Sequence, residues 1–318
     1  MPVIGSNSEI LKEYLGPQDV GNVYLGSTKV QNGVTPLILD DYPAVAAYST
    51  RKLRNNYTGP ALQVLNDSTS ATKDIYFING QLDTGSILDF IGSASGSVNI
   101  WYDQSGNGID IQPVKSIYKP KIAYSGSMYN LSGSNTPFAV NFLGEGVAPD
   151  GYSLSSSLNA ISSSVGTLTD ATVFAVENVY LLTHKEDTSW CDPTPAGGGY
   201  SGGNYRSTNL PYLWTYADST GAVNVQIPDM TENTKYLLAY NYNRTGDTVK
   251  IQANTGSADG LFGTGNSPSW DTLMIGGYPA GDFYTKMYMS EFILLSGSLD
   301  QTDVDIIRTN INQYYNCY

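Results

Sequence analysis

Short apolar runs recur roughly every 10–20 residues through the second two-thirds of the chain, and turns rich in Gly, Ser, Asn and Asp separate them. Val, Ile, Tyr and Thr dominate the runs, and these residues favour extended strands. Strands joined by such short turns run antiparallel. The pattern predicts a mainly β chain folded as an antiparallel β-sandwich, because each sheet needs a second layer to cover its apolar face.

The chain divides into three predicted parts. Residues 1–35 form an N-terminal arm with a hairpin in GNVYLGSTKVQNG, residues 36–97 form a small α/β collar, and residues 98–318 form the sandwich. Helices are predicted over residues 42–59, over DTGSILDFIGSASG and over residues 298–316. Because a lone hairpin is only marginally stable in water, we expect the arm to dock onto another surface.

The charge balance argues against two classes of partner. The sequence has 29 acidic and 16 basic residues, a net charge of −13, whereas phosphate binding needs clustered Lys and Arg. No apolar run reaches the roughly 18 residues that span a bilayer. We therefore expect neither nucleic acid binding nor membrane insertion. The start, MPVIGSNSEILKEYLG, lacks a basic region followed by an apolar run, so we expect no signal peptide and synthesis in a cytoplasm.

Two cysteines are too few for a disulfide framework, and one histidine is too few for a histidine-rich metal site. The two cysteines, Cys191 and Cys317, are expected to be free thiols, with a bond between them as the alternative. The single histidine, His184, is expected to be a surface residue.

The stretch NIWYDQSGNGIDIQP, residues 99–113, predicts a structural corner between two strands. Asp103 is expected to accept backbone N–H groups in an Asx-turn, Gly106 and Gly108 supply positive φ angles, and Trp101 packs underneath. The alternative is a ligand or ion contact by Asp103 or Asp110.

Several stretches together resemble a known fold. YLLAYNYNRTGDTVKIQANTGSA and LMIGGYPAGDFYTKMYMSEFILLSGSLDQTDVDIIRTNI resemble parts of the laminin-G and concanavalin-like sandwich superfamily. With IWYDQSGNGIDI and AYSTRKLRNNYTGPALQV, their order is similar to the catalytic sandwich of B-type α-L-arabinofuranosidases and to phage-borne proteins that share both motifs. The resemblance covers residues 42–318 and implies a concanavalin/laminin-G-like sandwich (jelly roll) with a C-terminal helix. Separately, VYLGSTKV resembles an element near the ends of bacteriophage head and tail proteins.

The resemblance also bears on catalysis. A retaining arabinofuranosidase needs two carboxylates about 5–5.5 Å apart, and the acid of that family lies in a Gly-Gly-Asp-Asn-Ser loop. The corresponding stretch here is Gly276-Gly277-Tyr278-Pro279, which holds Tyr278 at the acid position, with Asp282 four residues further on. The family's vicinal cysteine pair is also missing.

No glutamate can be assigned as the nucleophile from its position. The candidates by context are Glu145, Glu177 and Glu291. Glu291 alternates with apolar neighbours in MSEFILL and is expected to face solvent. From these departures the sequence predicts a chain that is not an enzyme.

A long insertion, residues 184–216, is the predicted contact surface. It has few strand signals of its own, and loops of this length are uncommon unless they are functional. Its aromatic side chains can stack on sugar rings while amides and guanidinium groups bond hydroxyls. The candidate ligand-binding residues are Trp190, Tyr200, Asn204, Tyr205 and Arg206. Tyr212, Trp214 and Tyr216 alternate on a strand and are expected to be core or interface residues.

No cofactor is expected, with calcium as an open alternative at loop rims. Its candidate ligands are Asp150, Asp271 and Asp282, whose spacing matches no defined site.

These observations together predict a bacteriophage virion protein that is present in many copies. The arm would bind other virion proteins, and the sandwich would bind a cell-surface glycan without chemistry, with avidity from multiple copies. One alternative is a structural attachment or decoration protein of the head or tail, and a second is an α-L-arabinofuranosidase-like glycoside hydrolase.

Overall fold

The fold is described from a computed structural model of the chain. It describes residues 22–25, 28–32, 37–113, 119–131, 137–142, 158–160, 165, 168–181, 187–191, 202–206, 212–216, 225–227, 230–243, 245–261, 273–278, 283–284 and 286–318.

The first third of the chain contains short strands and two of the helices. In chain order they are β1 (Asn22–Leu25), β2 (Thr28–Asn32), α1 (Ile38–Asp41), β3 (Ala46–Ser49), β4 (Leu62–Asn66), β5 (Thr72–Ile75), β6 (Phe77–Ile78), β7 (Gln81–Leu82), α2 (Thr84–Ile91), β8 (Gly96–Trp101) and β9 (Ile111–Pro113).

The remainder is almost entirely strand. Its elements are β10 (Lys121–Tyr124), β11 (Ser127–Met128), β12 (Val140–Asn141), β13 (Leu158–Ala160), β14 (Ala171–Leu181), β15 (Asp187–Cys191), β16 (Gly202–Arg206), β17 (Tyr212–Tyr216), β18 (Val225–Ile227), β19 (Lys235–Asn243), β20 (Thr248–Ala253), β21 (Gly256–Gly260), β22 (Met274–Ile275), β23 (Gly277–Tyr278), β24 (Phe283–Tyr284), β25 (Lys286–Ser296) and α3 (Gln301–Tyr315).

A ladder of long antiparallel strands forms the centre of the protein. β14 lies between β19 and β25, so that Val173 pairs with Tyr240 on one side and with Leu294 on the other. β20 and β21 extend the ladder beyond β19, while β3 and β12 pair with the far edge of β25. A second run of strands continues from β12 through β10, β8 and β4 to β5, and from β8 through β9, β13, β22, β15, β16 and β17 to β18. The predicted mainly β sandwich is therefore confirmed.

Both faces of β14 are buried, each against a different core. Val173 and Ala175 belong to the inner core, a cluster that includes Trp101 and is shared by strands of both runs. Phe174 and Val176 belong to the helix-side core, which lies beneath α3. Strand alternation thus distributes neighbouring residues of one strand between two cores.

The terminal helix α3 closes the helix-side core. Asp300 caps it by accepting the N–H of Asp303 at 2.9 Å. Ile307, Ile311 and Tyr315 are buried, and Tyr314 is only partly buried. The predicted C-terminal helix is confirmed. In the described part of the chain, no helix is long and apolar enough to cross a membrane.

One predicted helix is wrong and another is confirmed. The predicted helix over residues 42–59 is replaced by β3, whose four residues are all buried because β25 pairs with it inside the sheet. Burial on both faces removes the alternation by which a strand is recognised, so tertiary context outweighed local propensity. The helix predicted in DTGSILDFIGSASG is α2, and Asp83 caps it by accepting the N–H of Ser86.

The predicted collar and the predicted sandwich share one hydrogen-bonded sheet. β4 pairs with β8 along its whole length, and β3 pairs with β25 near the C-terminus. The arm's hairpin forms as β1 and β2. The functional division into arm, collar and sandwich stays a prediction.

Candidate functional site

The carboxylate of Asp103 holds the corner together by accepting four hydrogen bonds. Asp103 accepts the backbone N–H groups of Ala47 at 2.9 Å, Ser105 at 2.8 Å and Ile109 at 3.1 Å. The hydroxyl of Ser105 donates to it at 2.6 Å. Asp103 is only 4% exposed, so the loop closes around its carboxylate and fastens it to β3. This geometry favours the structural role, which stays a prediction until a variant is measured.

Two further amides join the same loop to residues 44–53. Gln104 accepts the N–H of Leu53 at 2.8 Å, and its amide donates to the carbonyl oxygens of Ser49 and Arg51. The amide of Asn107 donates to the carbonyl of Val45 at 2.8 Å. Sequence reasoning missed both roles, because the partners lie more than 50 residues away and no local spacing reveals them.

Gly106 and Gly108 have positive φ angles of +93° and +72°. Trp101 is fully buried below the corner, and its ring centroid lies 6.0 Å from that of Tyr48. The four residues that the sequence singled out for the corner therefore lie together.

Asp110 is the titratable group beside this corner. It is half-buried, and burial raises the pKa of its carboxyl. The N–H of Asp103, which donates to it at 2.9 Å, partly offsets this pKa shift, while the Asp103 charge adds to it.

A buried ion pair joins β25 to the segment after β3. Arg51 donates to the carboxylate of Glu291 through Nε at 2.8 Å and Nη2 at 2.9 Å. Ser49 and Tyr315 donate their hydroxyls to the same carboxylate at 2.8 and 3.0 Å. Burial alone lowers the pKa of Arg51, but the Glu291 carboxylate more than reverses this and holds the pKa above its usual value.

The expectation that Glu291 faces solvent is wrong, since its exposure is zero. Its apolar neighbours do not mark the buried face of a half-exposed strand. The strand is instead buried on both faces. The acidic side chain is tolerated there because four donors hydrogen-bond to its carboxylate.

Glu177 lies on the other side of the central sheet. It pairs across the ladder with Tyr236 and shares the face of Ala175, which packs in the inner core. The side chain is fully buried, and its charge contributes to raising the pKa of Tyr240 after the larger effect of burial. Glu177 is therefore a carboxylate inside the sandwich, on the face opposite to Glu291.

The predicted ligand-binding segment contains more strand than expected. Its residues form β15, β16 and β17, which pair in sequence and place Thr188 opposite Asn204 and Arg206 opposite Tyr212. The backbones of four of the five candidate ligand-binding residues lie in β15 and β16, while Tyr200 lies outside the described residues. Sugar contact by these residues stays a prediction.

The candidate calcium ligands Asp150, Asp271 and Asp282 lie outside the described residues, as do Glu145 and His184. Among the residues that the structure does describe, no group of three His, Cys, Asp or Glu side chains could hold a metal ion.

Comparison with known families gives a match over the first part of the chain. Residues 39–144 match the model of the α-L-arabinofuranosidase B catalytic domain. This span contains β3 and the whole Asp103 corner. No curated protein matches the chain.

Solved structures show the same fold at low identity. An arabinofuranosidase complexed with arabinofuranosyl-α-1,2-xylobiose is 16% identical, with a TM-score of 0.59. A GH54 α-L-arabinofuranosidase soaked with a cyclic sulfate inhibitor is 17% identical, also with a TM-score of 0.59. Each comparison covers 87% of this chain and 64% of the other, so this chain spans less than two thirds of those proteins.

These findings overturn two predictions. The predictions of a bacteriophage virion adhesion protein and of a chain without enzymatic activity are wrong, because residues 39–144 match the model of a catalytic domain. The eight-residue motif VYLGSTKV was too short to identify a virion protein.

Proposed function

We propose that the chain is a glycoside hydrolase domain of the α-L-arabinofuranosidase type, which cleaves α-L-arabinofuranosyl groups from a glycan. The observation that carries the proposal is the catalytic-domain match over residues 39–144. The same span contains the corner in which Asp103 binds Ala47 and Ile109, so the matched motifs form one structural unit.

The chemistry requires two carboxylates with different tasks. In a retaining hydrolase one carboxylate attacks the anomeric carbon, and the other, protonated, donates to the leaving oxygen; the two carboxyl groups lie about 5–5.5 Å apart. Glu291 is unsuited to attack because Arg51 holds both of its carboxylate oxygens. Of the two candidate glutamates that the structure describes, Glu177 lies on the inner face of the sheet, and we assign the nucleophile to it.

The surroundings of Glu177 suit a reacting carboxylate. A site away from water strengthens the interaction between a carboxylate and the positive charge that develops on the sugar ring. Tyr236 lies directly across the ladder from Glu177. Because Glu177 is fully covered, substrate entry requires neighbouring side chains to move aside.

Asp282 is the proposed acid. The resemblance places the acid loop at residues 276–279, and Tyr278 pairs with Phe283 in the β23–β24 hairpin. Chain connectivity keeps Asp282 within one residue of that pair. The proposed acid therefore directly precedes β24 in the sequence, whereas the resemblance would place it in the stretch that contains Tyr278.

The test is release of 4-nitrophenolate from 4-nitrophenyl α-L-arabinofuranoside by the purified chain. We expect turnover by the wild-type protein and a loss of about 10²–10⁴-fold in kcat for both Glu177→Gln and Asp282→Asn. Glu232→Gln, which alters an exposed loop glutamate, is the matched control and should retain wild-type activity.

Circular dichroism should show that the inactive variants remain folded. A folded wild-type chain without turnover would refute the enzymatic proposal, whereas full activity of Glu177→Gln would refute the assignment of the nucleophile alone.

A further inference from the structure

A polar pocket lies beside the Asp103 corner, on the helix side of the central sheet. Its volume is about 490 Å³, and the polar groups that line it include Asp40, Arg54, Asn56 and the segment from Ser105 to Asn107. Its apolar wall includes Leu39, a member of the helix-side core, whereas Glu177 faces the inner core. We call this concavity the Arg54 pocket; it is separate from the proposed catalytic carboxylate.

Arg54 brings an unneutralised positive charge to this pocket. Its Nη1 donates to the carbonyl of Ser105 at 2.7 Å. In the described part of the chain no carboxylate lies within ion-pair distance of Arg54, unlike Arg51, which Glu291 neutralises. A guanidinium has five N–H donors in a planar fork, so most of its donors remain available for a ligand.

The backbone at Gly106 makes room for this guanidinium. A Cβ built at Gly106 lies 2.6 Å from Arg54 Nη1, and φ there is +93°. Any larger residue would displace the Arg54 side chain from its place against the corner.

Asp40 supplies a fixed negative group in the same pocket. It accepts the backbone N–H groups of Leu37 at 2.8 Å and Asn55 at 3.0 Å, and the amide of Asn55 at 2.5 Å. These bonds hold the carboxylate in place, and an ionised carboxylate has about four acceptor positions, so it can also accept a ligand hydroxyl.

The pocket thus offers a planar cation and a separate hydroxyl acceptor, with the exposed amide of Asn56 on the same wall. A carboxylate matches the guanidinium fork in two parallel hydrogen bonds. A dianionic phosphate would be repelled more strongly by Asp40 than a carboxylate with one charge. The complementary ligand is therefore a monocarboxylate that also carries hydroxyl groups.

We propose that the Arg54 pocket binds a uronic acid, with the sugar carboxylate on Arg54 and a ring hydroxyl on Asp40. The site is a second glycan contact, independent of hydrolysis at Glu177, and it selects acidic over neutral sugars.

The experiment titrates the purified full chain with D-glucuronate and, separately, with D-glucose, which differs only at the carboxyl carbon. Isothermal titration calorimetry should show saturable binding of glucuronate and at least tenfold weaker binding of glucose. Arg54→Gln should abolish the preference. Lys250→Gln, which removes the same charge from an exposed ion pair, should leave it unchanged.

Asn56→Leu serves as a second variant, since Asn56 is exposed and its replacement should leave the melting temperature unchanged. It should weaken glucuronate binding several-fold even if Arg54→Gln fails to fold. Equal affinity for glucose and glucuronate, no binding by the wild-type chain, or unchanged binding by either pocket variant overturns the proposal. Because the readout is binding, activity on the nitrophenyl arabinofuranoside can fail or succeed independently.

Discussion

Arg51 and Glu291 meet in the interior from sequence positions 240 residues apart. Removing one member of a buried pair leaves the other charge without a partner, which costs about 3–5 kcal/mol. We therefore expect Glu291→Gln to lower the free energy of unfolding by about that amount, measured by urea denaturation.

The exposed pair Lys250–Asp259, at 3.8 Å, is the matched control. Asp259→Asn should cost less than about 1 kcal/mol, because solvent screens exposed pairs. Similar losses for the two variants would mean that burial does not set the energetic importance of the Arg51–Glu291 pair.

Cys317 is a free, half-buried thiol at the C-terminal end of the chain. Burial raises its pKa to about 12, the Glu291 charge adds to the shift, and Lys235 partly offsets it. Since only the thiolate reacts, alkylation by iodoacetamide at pH 8 should be on the order of 10³ slower than for a thiol of ordinary pKa. Peptide mass mapping separates Cys317 from Cys191, and modification of Cys317 at the rate of free cysteine would contradict the raised pKa.

At the scale of elements, the effect of a substitution in α3 on the free energy of unfolding should depend strongly on which face of the helix carries it. Ile307 is 1% exposed in the helix-side core, and its neighbour Ile306 is 51% exposed. Ile307→Ala should lower the free energy of unfolding by about 2–5 kcal/mol through lost burial and a cavity, while Ile306→Ala should change it by less than about 0.5 kcal/mol. Denaturant unfolding measures both, and equal losses would show that α3 does not pack as described.

The elements that sequence analysis identified are those with a local signal. A capping Asp300 and the helical spacing of Val304, Ile307 and Ile311 are local signals for α3, and apolar runs are local signals for long strands such as β14. β3 was missed because β25 and the two cores cover it completely, so it shows no alternation.

In the candidate site too, sequence analysis identified the residues whose partners are close in sequence. Asp103 was found because its Asx-turn is local, with Ser105 two residues away. Gln104 and Glu291 were missed or misassigned because Leu53 and Arg51, their partners, are adjacent only in the fold. Residue type and spacing reveal a turn, but they do not reveal which distant strand lies across it.

For the molecule as a whole, buried tyrosines make stability sensitive to alkaline pH. Of the 25 tyrosines, Tyr48 and Tyr240 lie in the inner core and Tyr315 in the helix-side core. Burial is the main cause that raises the pKa of all three well above 10, and nearby carboxylates add to it. A folded-state pKa above the unfolded value means that stability is fully present below pH 10 and is lost as pH rises above it.

Each such tyrosine contributes a slope of about 1.4 kcal/mol per pH unit, so three contribute about 4 kcal/mol per unit above pH 10. Against a typical free energy of unfolding of about 5–15 kcal/mol, this slope predicts global unfolding between about pH 11 and 14. Absorbance at 295 nm should then show exposed tyrosines ionising first and the buried ones only as circular dichroism reports unfolding. Tyr315→Phe should reduce the slope by about 1.4 kcal/mol per pH unit, the contribution of one buried tyrosine, while Tyr124→Phe, at a side chain 51% exposed, serves as the surface control. Complete tyrosine ionisation in a still-folded chain would mean that the two cores do not shield these hydroxyls from solvent.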